Sequence, residues 1–304
     1  MKRCWHSWVQ LMDERESPLR LAQVRIALGV VMIVDLFWVV RYGLVDVIWA
    51  PPEGGGLGLL ASGESPPWAY AVGHQTVFWL AAVSSITFTL GLFTRFSTGV
   101  LLVSYAQLAA MTTVSDRGID TMFRAVLLIL LFSECGAAFS LDARRGKGKT
   151  EAPAWPRYLI VLQLVWTYFS AGVHKTQSAW WPAGDFAALS RVLQDPHFAR
   201  FDMAPLLDAP GVGLLTQIST AATMLFELGA PLLLLALYYR RTADQPGRVR
   251  RFFNKLPVRQ AWITLGVVFH LGLLFTLRLG VFPLGMLAFY PALIPPPAHA
   301  PKSP

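Results

Sequence analysis

Charged side chains are scarce in this sequence. They make up 14% of the 304 residues, whereas soluble domains carry about 25%. Hydrophobic residues make up 54%, and the mean hydropathy is +0.47. A chain that crosses a lipid bilayer needs long apolar runs with few charges. The shortage of charge therefore argues against an ordinary soluble domain and predicts a multi-pass membrane protein.

Cysteine and histidine are also sparse. The two cysteines, Cys4 and Cys135, lie in an N-terminal tail and an apolar run, so no disulfide framework is predicted. His174, His197 and His270 lack metal-ligand spacing, and no two histidines stand four residues apart, so we expect no metal site. The first apolar run is long enough to span and remain in a membrane, so we expect no cleavable signal peptide.

Eight mostly apolar runs are candidates for crossing a bilayer, which takes about 17–25 helical residues. Helices are expected because lipid offers no water to satisfy an exposed backbone. The predicted fold class is all-α: a multi-pass bundle of about eight transmembrane helices over 22–295, with tails at 1–21 and 296–304. The candidate spans are 22–42, 74–93, 96–114, 120–139, 156–174, 212–238, 260–278 and 281–295.

The basic residues are distributed unevenly between the loops. They concentrate in the N-terminal tail and in the stretches "DARRGKGKTEAPAWPR" and "RRTADQPGRVRRFFNKLPVRQ", while the 43–73 loop has none. The positive-inside rule then places both termini and both basic loops in the cytoplasm. The net charge of +8 is therefore a topology signal, and no nucleic-acid partner is expected. The expected location is the cytoplasmic (inner) membrane.

Ionisable residues inside apolar spans are costly, so each is a functional-site hypothesis. Asp120 and Arg124 stand four residues apart and are expected to pair on one helix face. Arg25 is expected to pair with Glu134 nearer the cytoplasmic side. Two further acidic residues have no assignable partner: Asp35 and Glu227.

The expected topology places several polar residues near the outer boundary. Asp120, Arg124, Lys175 and Arg278 are predicted to line one outward-facing cavity, with His270 deeper. Each has an alternative structural role. Asp120 and Arg124 suit a structural ion pair, His270 suits a hydrogen-bonded core histidine, and Arg278 suits a snorkelling side chain. Trp181 suits the aromatic belt at the interface.

Lys175 has the strongest functional case. It follows an apolar helix, where partial desolvation disfavours the ammonium and produces a neutral amine base. The adjacent His174, if charged, would act in the same direction. The alternative is a snorkelling lysine that fixes the end of the helix.

The stretch "YFSAGVHKTQSAWWPAG" resembles the core motif of the vitamin K-dependent gamma-carboxylase family and its bacterial relatives, the HTTM (horizontally transferred transmembrane) domain proteins. Three further stretches resemble that family in the same order: "LAQVRIALGVVMIVDL", "GIDTMFRAVLLILLF…FSLDA" and "FHLGLLFTLRLGVFPLGML". The residues that fit the core motif are Tyr168, Phe169, Ala171, Gly172, Lys175, Trp181 and Gly184.

The resemblance implies a reaction and a set of site residues. Lys175 would deprotonate a reduced quinone of the vitamin K or menaquinol type. The quinone anion would react with oxygen, and the strong base so formed would remove a glutamate γ-proton before CO2 adds. Lyase activity of this carboxylase-like kind would use His174 and His270 beside Lys175 as catalytic residues. The residues expected to bind substrate are Asp120, Arg124, Tyr168, Trp181 and Arg278.

This sequence departs from the carboxylase pattern in three ways. His174 stands where the carboxylase has a second lysine, and "SDRGID" lacks the histidine expected there. No large lumenal domain is expected after the last span. Two other functions therefore stay open: a non-enzymatic accessory factor for maturation or export of a secreted peptide, of the sporulation-delaying protein B type, and a transporter. Transport is disfavoured because no inverted repeat is apparent.

Overall fold

The computed structural model describes residues 9–10, 12–58, 71–112 and 115–296. Cys4, part of the predicted 1–21 tail and almost all of the 296–304 tail lie outside these residues. The helices are α1 Leu19–Arg41, α2 Val45–Trp49, α3 His74–Leu90, α4 Thr94–Met111, α5 Gly118–Leu131, α6 Trp155–Val173, α7 Ala188–Gln194, α8 Ala204–Leu207, α9 Val212–Leu228, α10 Ala230–Arg241, α11 Arg248–Lys255, α12 Val258–Thr276 and α13 Phe282–Ala288.

The predicted helical class is confirmed in its main feature. Each of the eight apolar runs contains a helix or a pair of helices, although α5 ends at Leu131, before the end of the 120–139 run. The described strands are two-residue segments, β1 (Arg15–Glu16) and β2 (Ala152–Pro153), which pair antiparallel. Short 3-10 turns occur at 52–54, 178–180, 182–184 and 290–293. The chain is therefore nearly all-α in its described part.

Two of the described helices, α1 and α12, are long and apolar enough to cross a bilayer by themselves. The pair α9 and α10 would make a third span, bent by 50° where the two helices meet. Gly229 lies at the break and is followed by Ala230 and Pro231. Proline lacks a backbone N–H and obstructs a continuous helix, which accounts for the bend. The number of spans beyond these stays a prediction.

The chain divides into two compact units, and the division falls within α6. Unit 1 comprises residues 1–160 and 288–304, and unit 2 comprises 161–287. In unit 1, α3 packs against α1 and α4, and α4 packs against α5. In unit 2, α9 packs against α7 and α12, and α10 packs against α11 and α12.

Arg25 is fully buried in α1 of unit 1. Its guanidinium donates to the backbone carbonyls of Cys135 at 2.6 Å, Ala138 at 3.3 Å and Phe139 at 2.5 Å. The prediction that Arg25 pairs with Glu134 is therefore wrong. The chain leaves its helix after Leu131, so the carbonyls that follow need donors, and a planar guanidinium supplies several from one side chain.

Glu134 has two other partners. It accepts from Lys149 at 2.8 Å and from Arg95 at 3.1 Å. Both basic side chains are more than half exposed, so these are surface contacts that add little stability. Arg25, which the sequence predicted as the partner of Glu134, donates to backbone carbonyls instead.

Asp142 caps the start of α4. Its carboxylate accepts from the Thr94 backbone N–H and hydroxyl, each at 2.7 Å, and from the Phe93 backbone N–H at 3.0 Å. Burial acts to raise the pKa of Asp142, but these hydrogen bonds outweigh burial and lower it below its usual range. The ionised carboxylate therefore stabilises the first turn of α4.

Candidate functional site

A cavity of about 550 Å³ lies within unit 2. It is lined by side chains from α6, α7, α9, α12 and α13, and most of the lining is apolar. This size falls in the range of ligand pockets, about 300–1,000 Å³. Representative lining residues are Val192, Phe226, Leu265, Phe269, Leu273 and Met286.

One charged pair lies at the cavity wall. Lys175 Nζ donates to Glu227 Oε2 at 2.5 Å, and the two side chains are only 19% and 6% exposed. Lys175 lies just beyond the end of α6, and Glu227 is in the last turn of α9. The ammonium also lies 4.9 Å from the centre of the Trp180 ring, close enough for a cation–π contact. The pair thus places a basic and an acidic group together beside an apolar cavity.

Gly172 allows the two helices that carry this pair to approach closely. A Cβ atom at this position would lie 3.0 Å from a methyl carbon of Leu228 and 3.1 Å from the Cβ of Glu227. These distances are tighter than most real Cβ contacts. The absence of a side chain at Gly172 therefore sets the spacing between α6 and α9 beside Lys175.

Tyr168 and His270 form a second polar contact. The Tyr168 hydroxyl lies 2.5 Å from His270 Nε2. Tyr168 lines the cavity, and His270 is fully buried behind it. Phe226 and Trp262 pack on the Tyr168 ring, with centroid distances of 4.8 and 5.1 Å. This packing holds the Tyr168 ring in place. His270 has the hydrogen bond expected for the alternative role of a core histidine.

Two further predicted residues, Trp181 and His174, are exposed and form hydrogen bonds near Lys175. The indole N–H of Trp181 donates to the backbone carbonyl of Lys175 at 2.8 Å. Trp181 therefore has a local partner besides any role in an aromatic belt. His174 is exposed, and its Nδ1 lies 2.7 Å from the carbonyl of Ser170. The imidazole of His174 does not line the cavity.

Arg278 is exposed and does not line the cavity either. Its backbone N–H donates to the Phe198 carbonyl at 2.8 Å. Its guanidinium donates to the Arg200 carbonyl at 3.4 Å. Arg278 therefore ties the segment after α12 to the loop after α7.

Asp120 lies at the start of α5 in unit 1, in a different arrangement from the predicted one. It is buried and accepts from Arg117 Nε at 2.9 Å, from the Arg117 backbone N–H at 2.8 Å and from the Tyr105 hydroxyl at 2.7 Å. Asp120 is the third residue of α5, where a carboxylate satisfies the free N–H groups of a helix start. Arg117 also contacts Asp35 at 2.5 Å, which supplies the partner that the sequence left open.

Arg124 pairs with Asp116 rather than with Asp120. Its two terminal nitrogens donate to the two carboxylate oxygens of Asp116 at 2.7 and 2.9 Å. The prediction of an Asp120–Arg124 pair is therefore wrong, because each residue finds a bidentate or capping partner in the segment before α5. Asp120 and Arg124 line a cavity of about 220 Å³ within unit 1, whereas Lys175 and Tyr168 line the cavity of unit 2.

The sequence left Glu227 without a predicted partner, and the structure pairs it with Lys175. The two residues are 52 positions apart on different helices, so no local spacing connects them. The available signal is chemical: an acidic residue in one apolar run and a basic residue at the end of another are natural partners, since an isolated charge there is costly.

The sequence model of the HTTM domain matches residues 14–245 of this chain. The matched range includes Lys175, Glu227, Asp120 and Arg124, while His270 and the helices from α11 onwards lie after it. No solved structure matches the chain. Since the match covers well over half of the sequence, the chain belongs to the HTTM domain family of membrane proteins.

Proposed function

We propose that this HTTM-domain protein is a membrane enzyme that binds a quinol-like or other small lipophilic molecule in the unit 2 cavity and uses Lys175 as a base. The observation that carries the proposal is the Lys175–Glu227 pair at the wall of an apolar cavity. A lipophilic ring suits the apolar lining, and its hydroxyl group would meet the Lys175–Glu227 pair at the cavity wall.

The pair offers a route to a neutral amine. Burial makes two separated charges costly, and the 2.5 Å between Lys175 Nζ and Glu227 Oε2 is a hydrogen-bond distance within which a proton can shift from the ammonium to the carboxylate. Transfer to Glu227 gives an uncharged amine beside an uncharged carboxylic acid. The amine then takes the hydroxyl proton of a bound quinol, which leaves an ammonium next to the quinol anion. Glu227 is thus a positioning residue and a proton acceptor for Lys175.

The later steps of the proposal depend on the resemblance to the carboxylases. A quinol anion that reacts with oxygen would supply the base for modifying a secreted peptide. His174 and Trp181 lie on the exposed side of Lys175, which suits contact with a second substrate. His270 would act through Tyr168, which it contacts at 2.5 Å.

The proposal includes the topology expected from the sequence, with eight spans, both termini in the cytoplasm and location in the inner membrane. The agreement of the apolar runs with the observed helices supports it, as do the two strongly basic loops. In this topology Lys175 is at the outer boundary of its helix, on the side where a secreted peptide would arrive.

The test is binding of a reduced naphthoquinone to the purified full-length protein in anaerobic nanodiscs. Lys175→Gln is expected to weaken binding at least tenfold, because the variant loses the amine that takes the quinol proton and then pairs, as an ammonium, with the quinol anion. Lys149→Gln is the matched control, since this lysine also pairs with a glutamate at 2.8 Å but lies in unit 1. Equal binding by wild type and Lys175→Gln would contradict the proposal and favour a non-enzymatic accessory role.

A further inference from the structure

The short helix α11 has two exposed stripes of opposite character. The eight residues of α11 read "RVRRFFNK", and the chain continues with Leu256. Val249 and Phe252 are three residues apart and lie along one side of the helix, and Leu256 continues the four-residue spacing directly after the last helical residue. They are 56%, 61% and 40% exposed. Exposed apolar side chains grouped in this way, with polar residues beside them, mark a contact site for a membrane or a protein.

A basic stripe runs beside the apolar one. Arg248, Arg251 and Lys255 follow the same three- and four-residue spacing and are exposed. None of the three forms an ion pair within the described residues. The sequence from Arg240 to Arg259 holds seven basic residues and one acidic residue. This side of α11 therefore carries a strong, uncompensated positive charge.

The opposite side of α11 is fixed to α10. Phe253 packs on Tyr239 with a centroid distance of 5.4 Å, and Asn254 donates to the Tyr239 carbonyl at 3.0 Å. Arg250 donates to the Thr242 hydroxyl at 3.1 Å and to the Pro246 carbonyl at 2.9 Å. These contacts set the rotation of α11 about its own axis. The exposure of the two stripes is thus a property of the packed helix rather than of a free segment.

We propose that α11 lies in the membrane interface and binds the phosphate headgroups of anionic lipids. Arg248, Arg251 and Lys255 would contact the phosphates, and the apolar stripe would enter the boundary of the acyl chains. The adjoining pattern of exposed apolar and basic residues is typical of interfacial helices, and basic residues near a bilayer attract anionic lipid. The helix lies between α10 and α12, and α12 is apolar enough to span, so a bilayer surface is within reach.

This inference is independent of the role of Lys175. Helix α11 lies after the end of the HTTM match at residue 245. Helix α11 belongs to a basic loop that the positive-inside rule predicts to be cytoplasmic. On that side of the membrane, anionic lipid is the abundant source of negative charge. The alternative ligand for this surface is an acidic partner protein, and the experiment below distinguishes it from lipid.

The test measures the membrane depth of a spin label on α11. The full-length protein, with its native cysteines replaced, carries a single nitroxide at Phe252→Cys or, as an aqueous reference, at Gln245→Cys. It is reconstituted in vesicles of phosphatidylcholine alone or mixed with phosphatidylglycerol. The ratio of collisions with oxygen to collisions with a water-soluble nickel chelate reports depth. The ratio at position 252 is expected to rise severalfold when phosphatidylglycerol is present, with no rise at position 245.

Charge variants separate lipid binding from simple apolar contact. The triple change Arg248→Gln, Arg251→Gln, Lys255→Gln is expected to abolish the phosphatidylglycerol effect. The matched control is Arg144→Gln, Arg145→Gln, Lys147→Gln, which removes the same charge from the other basic loop and should leave the effect intact. A label at position 252 that stays in water in both lipids, or that enters both equally, would overturn the proposal. An aqueous label that is protected only when an acidic protein is added would assign the surface to a protein partner instead.

Discussion

At the scale of single residues, the Lys175–Glu227 pair carries the functional account. Each member is unusual alone, since apolar helices seldom keep an unpaired charge. Together they form a short contact at 2.5 Å that is mostly shielded from solvent. Removing one member of such a pair leaves the other charge buried without a partner, which is more damaging than replacing both.

Replacing Glu227 alone should therefore destabilise the protein more than replacing both partners. Glu227→Gln is expected to cost up to about 3 kcal/mol, below the upper range for fully buried pairs because Lys175 keeps some exposure. The double variant Lys175→Met, Glu227→Leu should recover much of this loss. Thermal unfolding of the detergent-purified variants measures both, and a double variant less stable than Glu227→Gln would refute the account of the pair.

Gly172 allows a sharp test of the spacing beside the pair. Gly172→Ala places a methyl group about 3 Å from Leu228 and Glu227, so overpacking is expected to cost about 1–3 kcal/mol. Gly213→Ala is the control in α9, because a Cβ there meets nothing within 4 Å and alanine favours a helix. Thermal unfolding should show a loss for the first variant only; equal midpoints would contradict the close approach.

At the scale of helices, the sequence predicted where the helices lie more accurately than where each helix ends. Apolar runs located every long helix because hydrophobic length is a strong signal. The run at 120–139 was expected to be one span, yet α5 ends at Leu131. The following residues turn so that their carbonyls reach Arg25 and Asp142 reaches α4. These partners are more than forty residues away, so no local pattern reveals them.

Asp142 provides a pH-dependent prediction at this scale. Its pKa is lowered in the folded protein, so its contribution is present above the pKa of the unfolded chain, about 4, and is lost as the pH falls through the folded value. Asp142→Asn is expected to cost about 0.5–2 kcal/mol at neutral pH, as for other helix caps. The cost should shrink below about pH 4. A cost that persists in full at low pH would show that ionisation is not its source.

At the scale of the whole molecule, family and composition agree on a membrane protein. The HTTM match covers residues 14–245, and the apolar content predicted a bilayer setting without it.

The candidate site was only partly predictable. Lys175, Tyr168 and His270 were named from the sequence, and the structure brings all three into unit 2, with Lys175 and Tyr168 at the cavity. Their partners Glu227 and Phe226 depend on tertiary contacts that a sequence does not display.

The predicted topology is testable through fusions at both termini. A fluorescent protein that matures only in the cytoplasm should be bright when fused to either end, because the basic loops favour the cytoplasmic side. A periplasmically active phosphatase fused after residue 177 should be active, since the segment after Lys175 is expected outside. Fluorescence at only one terminus would exclude an even number of spans.

The central claim is that Lys175 deprotonates a lipophilic quinol in the unit 2 cavity. The most direct measurement is the anaerobic absorbance spectrum of a reduced naphthoquinone bound to the protein in nanodiscs at neutral pH. The account predicts the spectrum of the quinol anion with wild type and with Lys149→Gln, and that of the neutral quinol with Lys175→Gln. A neutral quinol spectrum with wild type, or an anion spectrum that survives Lys175→Gln, would contradict it.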